Sequence, residues 1–271
     1  MKHLHIQQKR PKIGVFDFTG CEGCEMQLAN KEETLGAFLN AIEIVNFREV
    51  SSAIGNDYDV ALIDGAVSRP DEIERLKAIR QQAGLLVAMG SCACFGGVNR
   101  LKNAYNLDDA NREVYGLHPK ETMPTVSVKE VVPVDLEVPG CPVNKDEIEQ
   151  VVQHLVFGLP LPKFAYPVCL QCKQRFTICR FDIGELCLGP ITRAGCGAPC
   201  PAGGLGCWGC RGGVDNANFD EFLTLCREKG FSERDVNDRL EFFGGFREHE
   251  ALEAARRNQA VAREAEDEKE S

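Results

Sequence analysis

The stretch from Cys169 to Cys210 limits what this chain can fold into more than any other. It places eight cysteines within 42 residues, with glycine and proline in many of the gaps. That composition leaves no means of building a packed apolar core, so the segment is expected to fold around something else. Eight thiols are two sets of four, and four thiolates is the ligand count of a [4Fe–4S] cubane. A two-cluster module is therefore expected, folding on its inorganic cores as zinc fingers fold on zinc. Disulfides would need an oxidising compartment. The opening residues, MKHLHIQQKRPK, are polar and basic, unlike the apolar stretch of an export signal, and they hold no twin-arginine pair. Zinc is the closer rival, because C-x2-C pairs also serve tetrahedral zinc. Zinc modules usually bring two short pairs across a knuckle. Here Cys169/Cys172 and Cys207/Cys210 are separated by four single cysteines, which favours iron–sulfur.

The 271 residues suffice for one sizeable domain and a smaller one. A net charge of −10 argues against a nucleic-acid partner, which would want a basic face. No run of 18 apolar residues is present, so no membrane span is expected. Fourteen cysteines without an export signal point to a reducing cytoplasm and to metal.

Upstream of the cysteine-rich stretch, apolar runs predict strands over 12–18, 42–47, 60–67, 85–89 and 134–138. Helical patterns fall at about 25–40, after Pro70 and over 146–157. Strands alternating with helices predict an α/β domain with an open parallel, flavodoxin-like sheet, in which ligands sit beyond the carboxyl ends of the strands. Three cysteine motifs fall at those ends: Cys21-Glu-Gly-Cys24, Gly90-Ser-Cys-Ala-Cys-Phe-Gly-Gly97 and Pro139-Gly-Cys-Pro142. A third cubane is inferred on Cys21, Cys24, Cys92 and Cys141. Cys94 is the competing third ligand, or else a buried, inert thiol. Residues 98–133 show no strong periodicity and read as a long loop that is functional or covers a partner. His118 lies in it, and a lone loop histidine is more often neither ligand nor proton carrier.

These motifs, together with Cys187-Leu-Gly-Pro-Ile-Thr-Arg-Ala-Gly-Cys196, resemble the small subunit of nickel–iron hydrogenases over about Lys12 to Gly213. Pro-Gly-Cys-Pro and Gly-Ser-Cys-Ala are shared with the related small iron–sulfur subunit of respiratory complex I. That subunit typically carries adjacent cysteines at its first motif and lacks the eight-cysteine extension, so the hydrogenase side is favoured. The resemblance implies three clusters in line. The proximal one would use Cys21, Cys24, Cys92 and Cys141, the distal one Cys169, Cys172, Cys179 and Cys187, and the medial one Cys196, Cys200, Cys207 and Cys210. Periplasmic members usually carry histidine in the place of Cys169 and often proline in the place of Cys200. Cysteine at both positions implies an all-[4Fe–4S] wire, as in soluble cytoplasmic members. Many members read Glu-Cys-Thr-Gly-Cys at the first motif, with side chains discussed as a proton exit. Here the stretch is Gly20-Cys21-Glu22-Gly23-Cys24, which leaves Glu22 or Glu25 as weak substitutes. The favoured reading of Glu25 is an acid at a helix N-terminus.

The resemblance also implies partners: a large subunit that holds the nickel–iron centre, and a flavin/NAD(P)-binding or ferredoxin-like iron–sulfur subunit beyond the distal cluster. No residue of this chain is expected to be catalytic. The alternatives are a non-catalytic iron–sulfur scaffold and a complex I-like electron-transfer subunit. Three divisions are expected: 1–160, the flavodoxin-like domain; 161–215, the two-cluster domain; and 216–271, a helical extension. In the last, Cys226 reads as core, Ser232 as an N-cap, and residues 246–271 as a charged tail.

Overall fold

The computed structural model describes residues 10–30, 36, 41–52, 54–161 and 163–247. Residues 248–271 of the expected charged tail and most of the second half of the first helix lie outside them, while Phe246, its first residue, is buried in a core. The chain forms two compact units, Met1–Pro162 and Lys163–Ser271.

The first unit is built on five parallel strands: β1 (Lys12–Asp17), β2 (Glu43–Asn46), β3 (Val60–Asp64), β4 (Leu85–Met89) and β5 (Leu136–Val138). Their order is β2-β1-β3-β4-β5, with every neighbouring pair parallel. This is the flavodoxin-like order expected from the alternating pattern. Successive side chains of a strand point to opposite faces, and the core divides accordingly. Ile13, Val15, Val60, Leu62, Val87 and Met89 pack on one face with helices α1 (Gly23–Ala29) and α5 (Lys145–Phe157). Phe16, Ala61, Ile63, Leu86 and Ala88 pack on the other with α2 (Pro70–Gln82) and α3 (Gly90–Phe95). β3 is buried along its whole length. Each large side chain so removed from water stabilises the fold by about 1.5–3 kcal/mol.

Residues 98–133 are not the long loop that weak periodicity predicts. A 3-10 turn spans Gly97–Ala104, α4 spans Leu107–Tyr115, and a second 3-10 turn spans Val128–Glu130. Their starts are set by caps rather than by an apolar stripe. Asn106 Oδ1 accepts from the N–H groups of Asp108 and Asp109, and the acids sit in the first turn. Ser127 and Glu130 form a capping box. α4 carries a short apolar stripe of Leu107, Ala110 and Val114, but none of its side chains is buried.

The second unit also departs from expectation, because it does contain an apolar core. Val168, Phe181, Leu186, Leu188 and Ile191 come from the cysteine-rich stretch. The other half comes from downstream: Phe219, Phe222 and Cys226 on α8 (Phe219–Glu228), Val236 and Leu240 on α9 (Glu233–Glu241), and Phe246. Ser232 caps α9, accepting from the Asp235 N–H. Two short helices complete the cysteine-rich part, α6 (Val168–Gln174) and α7 (Pro199–Ala202). No described helix is long and apolar enough to cross a membrane.

Candidate metal centres

Four cysteines gather at the carboxyl ends of β1, β4 and β5. Short backbone bonds tie those ends together. Phe18 N–H donates to Asp64 O at 2.8 Å, and Thr19 and Ala66 exchange bonds of 3.0 and 2.7 Å. Ser91 N–H donates to Gly140 O at 2.8 Å. Gly90 lies where these ends meet, at φ 89. A Cβ there would sit 2.4 Å from Cys24 Sγ and 3.7 Å from Asp64 Oδ1. The close approach therefore needs glycine twice over, for its backbone angle and for its missing side chain.

The four thiols feel one another. Burial, then Asp64 and the neighbouring Cys92 and Cys141, push the Cys24 thiol far up. Burial, Asp64, Cys141 and Cys21 push Cys92 up to about 12. Burial and Cys21 raise Cys141. Asn99 Nδ2 donates to Cys92 Sγ at 3.5 Å and to Thr19 O at 3.1 Å. Cys94 lies elsewhere. It is fully buried in the core on the α2 and α3 face, and its thiol donates to Ala88 O at 3.5 Å.

Glu25 sits beside this set in a way the sequence does not signal. It is in the first turn of α1 as expected, yet only 1% exposed. Its Oε1 has no hydrogen-bond partner among the described residues. Burial, with the nearby Asp64 carboxylate, pushes its carboxyl up to about 8. Asp64, itself buried, accepts from the Glu25 N–H at 3.4 Å. Glu22, by contrast, is exposed and holds the left-handed position before α1, with no side-chain cap. His118 is exposed.

In the second unit, Cys169 and Cys172 sit on α6, Cys179 just before the 3-10 turn Arg180–Ile183, and Cys187 after it. Burial, then Cys187, Cys172 and Cys179, push Cys169 up to about 12. Of the remaining four, burial and then Cys196 raise Cys200, and burial, then Cys187 and Cys210, drive Cys207 well up. The two quartets touch. Cys207 N–H donates to Cys187 Sγ at 3.2 Å, and Leu188 N–H donates to Cys207 O at 2.9 Å. A Cβ on Gly189 would lie 3.3 Å from both Cys169 Sγ and Cys187 Sγ. Cations line this region. Arg211 is fully buried, its Nε donating to Ala194 O at 2.7 Å. Arg239 lies 3.5 Å over the Trp208 ring, between Cys207 and Cys210 in sequence.

Thiols raised this far stay protonated until a metal displaces the protons. Among the described residues, no three Cys, His, Asp or Glu side chains converge closely enough to hold one ion.

A family described as the NADH ubiquinone oxidoreductase 20 kDa subunit matches residues 21–155. Subunit delta of sulfhydrogenase 2 from Pyrococcus furiosus is 39% identical over 221 residues, which covers 80% of this chain and 92% of that protein. A chain of the NAD+-reducing [NiFe]-hydrogenase in the H2-reduced state is similar in structure, with 25% identity and a TM-score of 0.53. The likeness covers 57% of this chain and 95% of that one. A chain of the actinobacterial-type NiFe-hydrogenase from Ralstonia eutropha H16 shares the fold at 15% identity and a TM-score of 0.53, over 98% of this chain and 95% of that one.

Proposed function

From the premise that this chain belongs to the family of the complex I 20 kDa subunit and the nickel–iron hydrogenase small subunits, we propose that it is the electron-transfer subunit of a soluble, cytoplasmic nickel–iron hydrogenase. The family carries iron–sulfur clusters. Our reading is three [4Fe–4S] clusters: proximal on Cys21, Cys24, Cys92 and Cys141, distal on Cys169, Cys172, Cys179 and Cys187, and medial on Cys196, Cys200, Cys207 and Cys210. When bound, such clusters take up and release single electrons, at potentials tuned by nearby hydrogen bonds and charges. The residues around them hold the thiols, keep water out, and present N–H groups and cations to the sulfurs. Splitting hydrogen falls to a large subunit that holds nickel and iron, and the electrons leave for a flavin/NAD(P) or ferredoxin-like partner.

The observation that carries this reading is the grouping of the twelve cysteines. Cys21, Cys24, Cys92 and Cys141 stand at the ends of β1, β4 and β5, Cys169 and Cys187 both lie beside Gly189, and the third set abuts the second through the Cys207 N–H bond to Cys187 Sγ. The hydrogenase side of the family is favoured over the complex I side by the sulfhydrogenase relative, whose match spans most of both chains. Glu25, buried beside Cys24, is the better candidate for proton transfer, and Glu22 the weaker.

Metal content tests the reading. Anaerobically purified protein is expected to hold about twelve iron and twelve acid-labile sulfide per chain. Cys92→Ser should lose about four of each, and Cys94→Ala should lose none. Stoichiometric zinc with little sulfide would overturn the cluster reading, and iron loss in Cys94→Ala alone would reassign the third proximal ligand.

A further inference from the structure

We propose that Arg239, brought in by α9, is a fixed cation shared by the medial and distal clusters, and that it raises the reduction potential of both. The proposal rests on the reading of the second unit as a two-cluster module. It gives the downstream helices a part in that module beyond packing.

The first observation is where Arg239 is anchored. The two quartets meet where the Cys207 N–H bonds Cys187 Sγ. Arg239 reaches this crossing from outside the cysteine-rich stretch, from the last turn of α9. Its Nη1 donates to the carbonyl of Leu186, the residue before Cys187, at 3.4 Å. Its guanidinium stands 3.5 Å over the ring of Trp208, the residue after Cys207. One side chain is therefore held by a neighbour of a distal ligand and by a neighbour of a medial one. Phe242, just past α9, meets the same Trp208 ring edge-on at 5.1 Å. The end of α9 thus clamps the ring that seats the cation.

The second observation is charge. The acids that act on Arg239, Glu185 and Asp235, are engaged elsewhere. Glu185 pairs with Arg180 at 2.6 Å and accepts from the Gly206 N–H. Asp235 accepts from the Ser232 hydroxyl at 2.6 Å. Arg239 is half-buried, so water screens its charge only in part. An apolar side chain would cover the Trp208 ring without the cost of half-burying a charge. A guanidinium suits the place better than an ammonium, because it stacks on a ring while its edge donates a hydrogen bond. Each electron that enters an iron–sulfur core adds one negative charge to the core and its thiolates together. A fixed cation beside them favours that state, so the potential rises. Because one charge serves both sites, it shifts the two potentials in the same direction and adds no large step between them.

The test uses the full-length chain, purified anaerobically with its clusters loaded. Midpoint potentials are read from the paramagnetic resonance of the reduced clusters in a dye-mediated redox titration. Arg239→Gln removes the charge and keeps a hydrogen-bond donor. Reduction should become about tenfold less favourable at two clusters or more, a fall of about 59 mV in each midpoint potential. Arg239→Lys keeps the charge and should recover more than half of each fall. Arg234→Gln is the control. It takes the same charge from the same helix, but Arg234 is 88% exposed and lies 3.7 Å from Asp238. It should leave every potential in place. Unmoved potentials in Arg239→Gln, with iron and sulfide intact, would overturn the inference alone. So would a fall at one cluster only, an equal fall in Arg234→Gln, or a fall that persists in Arg239→Lys. Arg239→Met, whose stem still covers the Trp208 ring, replaces Arg239→Gln if that variant loses iron. Iron loss from both would make Arg239 a residue of the fold and overturn the inference. Zinc without sulfide in the wild type would overturn the cluster reading, and this inference with it.

Discussion

Gly90 turns the end of β4 into α3 at the point where Cys24 and Asp64 converge. Gly90→Ala adds two costs: a left-handed backbone angle for an L side chain, and a Cβ 2.4 Å from Cys24 Sγ. Together they should destabilise the first unit by about 2–4 kcal/mol and lower iron content by about four per chain. Gly158→Ala is the control. Its φ is 64, but nothing lies within 4 Å of a new Cβ, so only the backbone cost of about 1 kcal/mol remains. Equal destabilisation of the two variants, by chemical denaturation, would remove the close approach from the explanation. The placement of three cysteine motifs at strand ends was legible because strand ends in a parallel sheet converge whatever the loops do. Glu25 was legible only in part. Its place in a first helical turn follows from the motif, but its burial beside Asp64, contributed by β3 some forty residues on, does not. Nothing local encodes that.

Glu130 shows the same point for an element. It joins the two 3-10 turns that stand where a loop was expected. Arg100 donates to both its oxygens, at 2.7 and 2.9 Å, and Ser127 donates through N–H and hydroxyl at 2.7 and 2.8 Å. Burial pushes its carboxyl up, but the Arg100 and Ser127 hydrogen bonds outweigh it and hold the group down at about 2. A carboxyl depressed in the folded state adds stability that is present above its unfolded pKa. That contribution is lost as pH falls from about 4.5 toward 2. The side chain is 38% exposed, so solvent screening reduces the effect to about 1 kcal/mol. Glu130→Gln should therefore be less stable than wild type at pH 6, with the difference narrowing below about pH 4.5 and closing only as pH falls through about 2. Denaturation midpoints across that range check it, and a difference independent of pH would show that the pair contributes through packing alone. The cap residues Asn106, Ser127 and Glu130 were visible in the sequence. So was the stripe of Leu107, Ala110 and Val114, but nine residues that bury nothing make too brief a pattern to stand out from a loop.

At the scale of the molecule, the two units depend differently on their cysteines. In the first, the sheet core of Leu62, Ile63, Leu86, Val87 and Met89 is built from apolar strands, and of the candidate ligands only Cys24 packs into it, while Cys21, Cys92 and Cys141 sit at its rim. Those strands were readable as buried runs for that reason. In the second, Cys172, Cys187 and Cys207 belong to the core itself, packed with Leu188, Ile191, Phe219 and Phe222. That core was invisible in the stretch 169–210, because half its apolar residues arrive from 219–246. Opening its three core thiols to water would break the packing around them. Anaerobic removal of iron by a chelator should therefore act unequally. Amides of the second unit, such as Leu188 bonded to Cys207 O, Thr192 to Leu188 O and Val214 to Ile191 O, should lose protection from hydrogen exchange by at least about a hundredfold. Amides of β1, β3 and β4 should change by less than about tenfold. If the 188–214 amides stay protected, the apolar core alone holds the second unit, and the clusters are passengers in a fold that forms without them. If the sheet amides are lost equally, the rim thiols hold the first unit as firmly as the core thiols hold the second, and burial would not decide which unit needs its metal.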